Sequence, residues 1–273
     1  MKLWLRGVGF WSLGYASFDA YVAAGLPASL DPPPGSEAGK PSAELLHPRL
    51  RRRTSLVTRM IVTSLQEAAG QGGAAPDQTR YVVVSSWGEI ETTVELLGQL
   101  AVPGGPISPT AFHNSVHNTA TGYLSIASGN HWPSTALAAG AHALEVGLLE
   151  VAAGLASASG PDDAIVVIAE ERLPVPFARP DADPSFALAL HFARTPGRPM
   201  HASSRDLHVE LVEQHAGALD AGPRGATTLP SLASLVMATR PLLRWLADGA
   251  PADRLVPLTA TPTGRHWSLR SCP

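Results

Sequence analysis

The sequence predicts an α/β layered domain, and three observations carry that prediction. Short apolar, β-rich runs at Leu3 to Phe10, Tyr81 to Ser86 and Asp163 to Ala169 alternate with segments of helical spacing, the order that lays helices onto a sheet. Hydrophobic residues make up 45% of the chain and charged residues only 16%, the balance of a globular chain with much buried surface. Its 273 residues suffice for a large core in one or two domains.

Taken in order, Leu3 to Phe10 alternates and reads as a first strand, with Lys2 and Arg6 giving no secretory pattern. Leu26 to Pro48 is dense in Pro and Gly and predicts a long surface loop. Arg53 to Ala69 has helical spacing at Leu56, Met60, Ile61, Leu65 and Ala68, with Thr54 as candidate cap. After a turn region at Gly70 to Asp77, Tyr81 to Ser86 has the uninterrupted apolar character of a strand buried on both faces. Glu89 to Leu100 follows as a helix with acidic residues suited to its first turns. Pro103 to Pro109 breaks the chain, and Thr119 to Ala127 predicts a short helix packed by small residues.

Ser134 to Ala138 reads as a strand and Ala141 to Ala156 as a central helix. Gly140, Ala141, Ala143, Gly147, Ala152, Ala153 and Gly154 leave little side chain there, so neighbours can approach its backbone and tertiary packing must hold it. Asp163 to Ala169 is another apolar strand, and Ser185 to Ala193 alternates as an edge or amphipathic strand would. Asp206 to Leu219 and Leu229 to Ala247 read as the last helices, the second interrupted at Pro241. Arg265 to Leu269 closes as a strand, with no internal repeat and no low-complexity tail.

Composition narrows the function classes. A net charge of −3 argues against nucleic acid as the main partner. The longest apolar run, Ala136 to Ala156, contains His142, Glu145 and Glu150, so a membrane span is not expected. Cys272 is the only cysteine, which excludes a disulfide framework and a Cys-based zinc site and fits a reducing compartment, by default the cytoplasm. The skew to 18 Arg against two Lys reads as coding bias.

The stretch from Ser108 to Leu155 holds most of the chemistry. A strand running through a tight turn into a buried helix is a usual way to present a nucleophile on a helix's positive end. At this turn stand Gly140 and Ala141, which can attack nothing. His113 and His117 are four apart and would share a face of a helix, as metal ligands do, yet no third ligand is close in sequence. Asn114 and Asn118 suit a hydrogen-bonded turn, so a structural network at a subunit interface is favoured over channel lining, metal binding or catalysis. Ser115 lies in no Gly-x-Ser-x-Gly elbow, and Ser134 after Pro133 reads as a turn residue. Glu145 and Glu150 are expected to face solvent or a partner's Arg, and the six tryptophans to be core and interface anchors. Arg49, Arg51, Arg52, Arg53 and Arg59 form the one basic cluster, whose simplest reading is a solvated helix face.

Five stretches together resemble the N-terminal half of the β-ketoacyl synthases, which have the thiolase-like fold. These are Val8-Gly9-Phe10-Trp11-Ser12, Arg51-Arg52-Arg53, Trp87-Gly88-Glu89-Ile90-Glu91-Thr92-Thr93, Ser108 to Asn118, and Pro133-Ser134-Thr135-Ala136-Leu137. The block from Phe112 to Asn118 is the most specific of them. In particular the chain resembles the short β-ketoacyl synthase-like subgroup, which includes chain-length factors of aryl polyene and xanthomonadin-type pathways. The resemblance implies a thiolase-like half: a layered α-β-α arrangement with a mixed sheet and a central buried helix. It implies one domain over residues 1–273, with a core of about residues 3–194 and a C-terminal extension over 195–273.

By the same resemblance Ala141, or Gly140 with a shift of one residue, falls where the nucleophilic Cys would be, and only about eighty residues follow the last core strand, too few for a complete second half-domain. Condensation needs a thiolate for the covalent thioester and donors aimed at the developing enolate, and Ala141 supplies neither by its side chain. The implied role is a catalytically silent subunit that pairs with a full-length β-ketoacyl synthase and helps to bound product length. An acyl carrier protein would be the second partner, its phosphopantetheine the only cofactor group, with no metal or nucleotide for this chain. Phe112, His113, Asn114, Ser115, His117 and Asn118 become interface or channel candidates, joined by Trp132, Ser134, Thr135, Leu137 and His142. The strand Ser134 to Ala138 would pair across a pseudo-twofold axis, with Ser108 to Ile126 along the contact. Trp132 would narrow a tunnel, and Arg51, Arg52 and Arg53 become docking candidates for the acidic carrier. The alternatives are a small acyltransferase or thioesterase using His113 or His117 as base, and a homodimeric structural module.

Overall fold

The computed structural model describes residues 1–34, 39–178, 184–197, 206–215, 232–259 and 265–272. In chain order it runs β1 (Lys2–Ser12), α1 (Phe18–Ala23), α2 (Pro48–Arg51), α3 (Leu56–Gly72), β2 (Thr79–Val84), α4 (Ile90–Leu100), α5 (Pro109–Asn114) and α6 (Thr119–Ser128). Then follow β3 (Ser134–Leu137), α7 (Ala143–Ala156), β4 (Asp163–Glu170), β5 (Phe186–Ala193), β6 (Leu207–His215), α8 (Leu232–Ala247), β7 (Val256–Pro257) and β8 (Arg265–Ser271). The strands form one mixed sheet in the order β3-β2-β4-β5-β1-β6-β8-β7. β2 is parallel to β3 and β4, while β5 is antiparallel to both β4 and β1.

Alternation along the central strands feeds two hydrophobic layers. One face turns Val82, Val84, Val166, Ile168, Leu188 and Leu190 toward α7 and α8, where Leu144, Leu148, Val151, Leu242 and Trp245 meet them. The other turns Tyr81, Val83, Ile165 and Val167 toward Met60, Ile61 and Leu65 of α3 and Leu124 of α6. Each buried Leu, Val or Ile contributes about 1.5–3 kcal/mol relative to exposure. α7 lies so near the sheet that a Cβ on Gly147 would stand 2.9 Å from a Val166 methyl. The small residues of that helix serve close approach, as the sequence predicts.

β1 shows the same economy on its other side. A Cβ on Gly7 would come within 2.0 Å of the Ala68 carbonyl oxygen, and one on Gly9 within 1.8 Å of the Ser64 oxygen. β6 covers β1 only from Lys2 to Leu5, so the amides farther along need other acceptors. α3 supplies them: Gln71 Oε1 accepts from Val8 at 3.0 Å, and Glu67 accepts from Phe10 at 2.8 Å and Phe18 at 3.0 Å. Burial pushes the Glu67 carboxyl up to about 7, against the pull of those two amide bonds.

Several expectations are corrected. Ser55, not Thr54, caps α3 by accepting from Thr58 at 3.1 Å, because the Thr54 hydroxyl is spent on the Arg51 carbonyl at 2.9 Å. The helix begins at Leu56, so Arg51 closes the short α2 and Arg52 and Arg53 lie in the turn after it. It also runs on to Gly72, ending at Gly73 with φ of 69°. The strand from Ser185 is central and not at an edge: all eight residues of β5 are buried between β4 and β1. The helix expected over Asp206 to Leu219 is a strand from Leu207 to His215, paired with β1 and β8, and residues 216–219 lie outside the described residues. α8 keeps Pro241 inside a continuous helix, and its expected start at residues 229–231 lies outside the described residues. In the extension, β6, β8 and β7 continue the sheet beyond β1, and α8 packs on the same face as α7.

Candidate functional site

β1, β2, β3 and β4 all end at one rim of the sheet, since β1 and β4 are each antiparallel to β5 and the other two are parallel to β4. At that rim β3 ends at Leu137 and the chain turns through Gly140, at φ of 52°, into a single 3-10 turn, Gly140–His142, and then α7. Positive φ suits Gly here and would strain a residue with a Cβ. Ala141 is half-buried in this turn. Its side chain is a methyl group, which can neither attack nor donate, placed just before the positive end of α7.

The residues flanking the corner are firmly held. His142 Nδ1 bonds Glu145 Oε2 at 2.8 Å, and the other Glu145 oxygen accepts from the Trp267 amide of β8 at 3.0 Å. Glu145 is therefore buried inside the fold, contrary to the solvent-facing expectation, while the His142 side chain remains 58% exposed. Glu150 accepts from the Thr135 hydroxyl at 3.0 Å, which ties α7 back to β3.

The turn from Ser85 to Gly88 lies beside this corner. Its first amide donates to Leu137 O at 3.0 Å, and the Ser85 carbonyl accepts from His117 Nε2 at 2.8 Å, which puts the ring proton on that nitrogen. The His117 ring sits over Gly88, where a Cβ would be 3.0 Å from it. Beneath the turn lie three buried acids: Glu170 and Glu171, which the sequence reading does not name, and Glu89, which it takes as the start of a helix. Burial pushes Glu170 up to about 7 and Glu171 up to about 8, the latter aided by neighbouring Glu89, Glu91 and Glu170. Glu89 is also raised by burial, although Ser55 and Thr58 donate hydroxyls to it at 2.8 and 2.7 Å. The visible signal was a pair of acids directly after a fully apolar run.

The block from Phe112 to Asn118 is a local network, but a largely exposed one. Asn114 is its buried member, donating to the Arg53 carbonyl at 2.5 Å and accepting from Tyr123 at 3.1 Å. His113 stands edge-on to Tyr123, with ring centroids 5.9 Å apart. α5 ends at Asn114, so the two histidines do not share a helix face: one lies on Tyr123, the other on Gly88. Among the described residues no group of three or more His, Cys, Asp or Glu could hold a metal ion. Ser115 donates to the Phe112 carbonyl at 2.9 Å, leaving no Ser–His pair there. Asn118 is exposed, and so is Phe112, at 64%.

β3 has a strand neighbour only in β2 among the described residues, and it ends the sheet. Ser134 is exposed, and Thr135 and Leu137 are half-buried along that edge. Trp132 precedes the strand, half-buried, its indole donating to Gln78 at 3.3 Å. Arg52 and Arg53 are exposed, while Arg51 is half-buried and bonded to the Ser42 carbonyl at 2.7 Å. Among the described residues no helix is long and apolar enough to cross a membrane.

Residues 28–244 match the family model described as the β-ketoacyl synthase, N-terminal domain. The chain belongs to that family. None of the curated proteins is significantly similar to this β-ketoacyl synthase domain in sequence. Among solved structures it is similar to a chain of the complex of the ketosynthase ApeO with its chain length factor ApeC from Xenorhabdus doucetiae, at 19% identity, over 99% of each chain and with a TM-score of 0.69. It is also similar to a chain of the ishigamide ketosynthase/chain length factor, at 15% identity over 80% of this chain and 64% of that one, with a TM-score of 0.53. A chain of AntDE:AntF, described as a type II PKS acyl-carrier protein in complex with its ketosynthase bound to the hexaketide, is similar at 16% identity over 79% of this chain and 69% of that one, with a TM-score of 0.55. At these identities the likeness establishes the thiolase-like ketosynthase fold.

Proposed function

We propose that this chain is a catalytically silent ketosynthase-like subunit, a chain-length factor that pairs with an active β-ketoacyl synthase. The observation that carries the reading is the strand-to-helix corner at Gly140–His142, where Ala141 presents only a methyl group; by the resemblance, this is the place where the thioester would form. Two of the similar structures are described as ketosynthases with chain length factors, which supports the pairing role. The exposed edge of β3 and the exposed Phe112 and Val116 would supply the contact with the synthase.

The finer assignment is an aryl polyene or related type II pathway in the cytoplasm, with an acyl carrier protein docking at Arg52 and Arg53. Phosphopantetheine would then enter only on that carrier. The acyltransferase or thioesterase alternative gains no support, since His113 and His117 are engaged apart from each other and Ser115 bonds backbone.

Co-expression with candidate synthases, followed by sizing and mass measurement, tests the pairing. A one-to-one complex that extends acyl chains, and stops doing so when the synthase Cys is replaced, is expected. Chain extension or self-acylation by the isolated subunit would overturn the reading.

A further inference from the structure

Three carboxyl groups are buried under the turn that joins β2 to α4. Glu170, at the end of β4, accepts from the Ser85 hydroxyl at 3.0 Å, the Trp87 amide at 3.3 Å and the Ser86 amide. Glu171 accepts from the Glu91 amide in the first turn of α4 at 2.9 Å, and its second oxygen is buried with no hydrogen-bond partner. Glu89 faces α3 and takes only hydroxyls, from Ser55, Thr58 and Thr92.

The charges around the group do not balance it. α4 brings Glu91, and the segment between α5 and α6 brings His117, bonded to the Ser85 carbonyl. After β4 comes Arg172, whose guanidinium pairs with Asp31 at 2.8 Å. From the α3 side, Arg59 Nε bonds the Thr54 hydroxyl. Glu170 has three donors to cradle an ionised form. Glu171 has one, so its ionised form would leave an unsolvated oxygen next to other acids.

We propose that Glu171 and Glu170 form a proton-operated latch on the start of α4: while they are protonated, Glu171 holds the Glu91 amide and Glu170 the Ser85–Gly88 turn against β4, and ionisation of the cluster lets water in and releases them. The turn carries the His117 contact beside the corner, and α4 carries the exposed Leu97 and Leu100. The sign follows from the raised carboxyls, at about 7 for Glu170 and about 8 for Glu171. The folded protein holds their protons more tightly than the unfolded chain, so the latch is closed on the acid side and weakens as pH rises through 7 to 8. The proposal is independent of the pairing role.

Amide hydrogen exchange on the full chain, corrected for intrinsic rates, tests it at pH 6.5 and pH 8.5. Protection at Ser86, Trp87 and Glu91 is expected to fall about tenfold across that interval, with β4 and β5 unchanged. In Glu171→Gln, which keeps an acceptor for the Glu91 amide, the fall at Glu91 should vanish, while Ser86 and Trp87, bonded to Glu170, keep theirs. Protection independent of pH in the wild type, or an equal fall at Glu91 in the variant, overturns the latch. Should the variant not fold, carboxyl carbon titration of the wild type decides. A Glu171 midpoint near neutrality or above supports the proposal, and one near the ordinary Glu value defeats it.

Discussion

Glu145 accepts the backbone amide of Trp267 at 3.0 Å, joining the first turn of α7 to β8 across 122 residues of sequence. The C-terminal extension is thereby bonded to the corner that carries Ala141. Glu145→Ala leaves that amide without its acceptor and should cost about 1–3 kcal/mol in urea unfolding. His142→Ala, at a side chain that is 58% exposed, should cost far less. Equal effects would show that the His142 contact, and not the β8 tie, is what matters.

A second prediction concerns β1. Gly7→Ala or Gly9→Ala places a methyl about where a backbone oxygen of α3 stands, at 2.0 and 1.8 Å, and backbone cannot step aside as a side-chain tip can. Each should destabilise by about 1–3 kcal/mol or more. Gly70→Ala, where nothing stands within 4 Å, is the control and should leave the thermal midpoint unchanged or slightly raised.

Glu67 gives a pH prediction. Its carboxyl is raised to about 7 in the folded protein by burial, so the folded state binds its proton where the unfolded chain has released it. The stability this group contributes is full below the ordinary Glu range and is lost as pH rises to about 7. Measured against Glu67→Gln, the wild type should lose stability between pH 5 and pH 7.5 while the variant stays flatter. The two slopes coinciding would show that the Phe10 and Phe18 amides, and not burial, govern this carboxyl.

The sheet and its layers were largely legible because apolar periodicity marks them directly. β5 was misplaced at an edge because its alternation is one of size and not polarity. Phe186, Leu188, Leu190 and Phe192 fill the α7 side, while Ala187 and Ala189 make room for α3. β6 was read as a helix although Val209 and Leu211 point inward with period two. Pairing with β1 and β8 decided the matter, and no local pattern records that. The corner was legible because Gly140 and Ala141 could be counted from Pro133-Ser134. The buried state of Glu145, Glu170 and Glu171 was not, since burial of an acid depends on donors far off in sequence, such as Trp267, Ser85 and Glu91.

The last prediction places a sulfur at the corner. Ala141→Cys in a Cys272→Ala background puts a single thiol in a half-buried turn, one residue beyond a Gly at positive φ and at the positive end of α7. The helix end favours the thiolate, and Glu145, bonded to both His142 and Trp267, is held in a fixed place and not free to swing onto it. Alkylation by iodoacetamide at pH 7 should therefore run faster in the folded chain than in the same chain unfolded in urea. Chain extension from acyl thioesters should still be absent, because the donors that stabilise the enolate are a separate requirement from the nucleophile. A folded rate far below the unfolded one would mean that the corner is shut, and that more than a sulfur separates this fold from an acylating site.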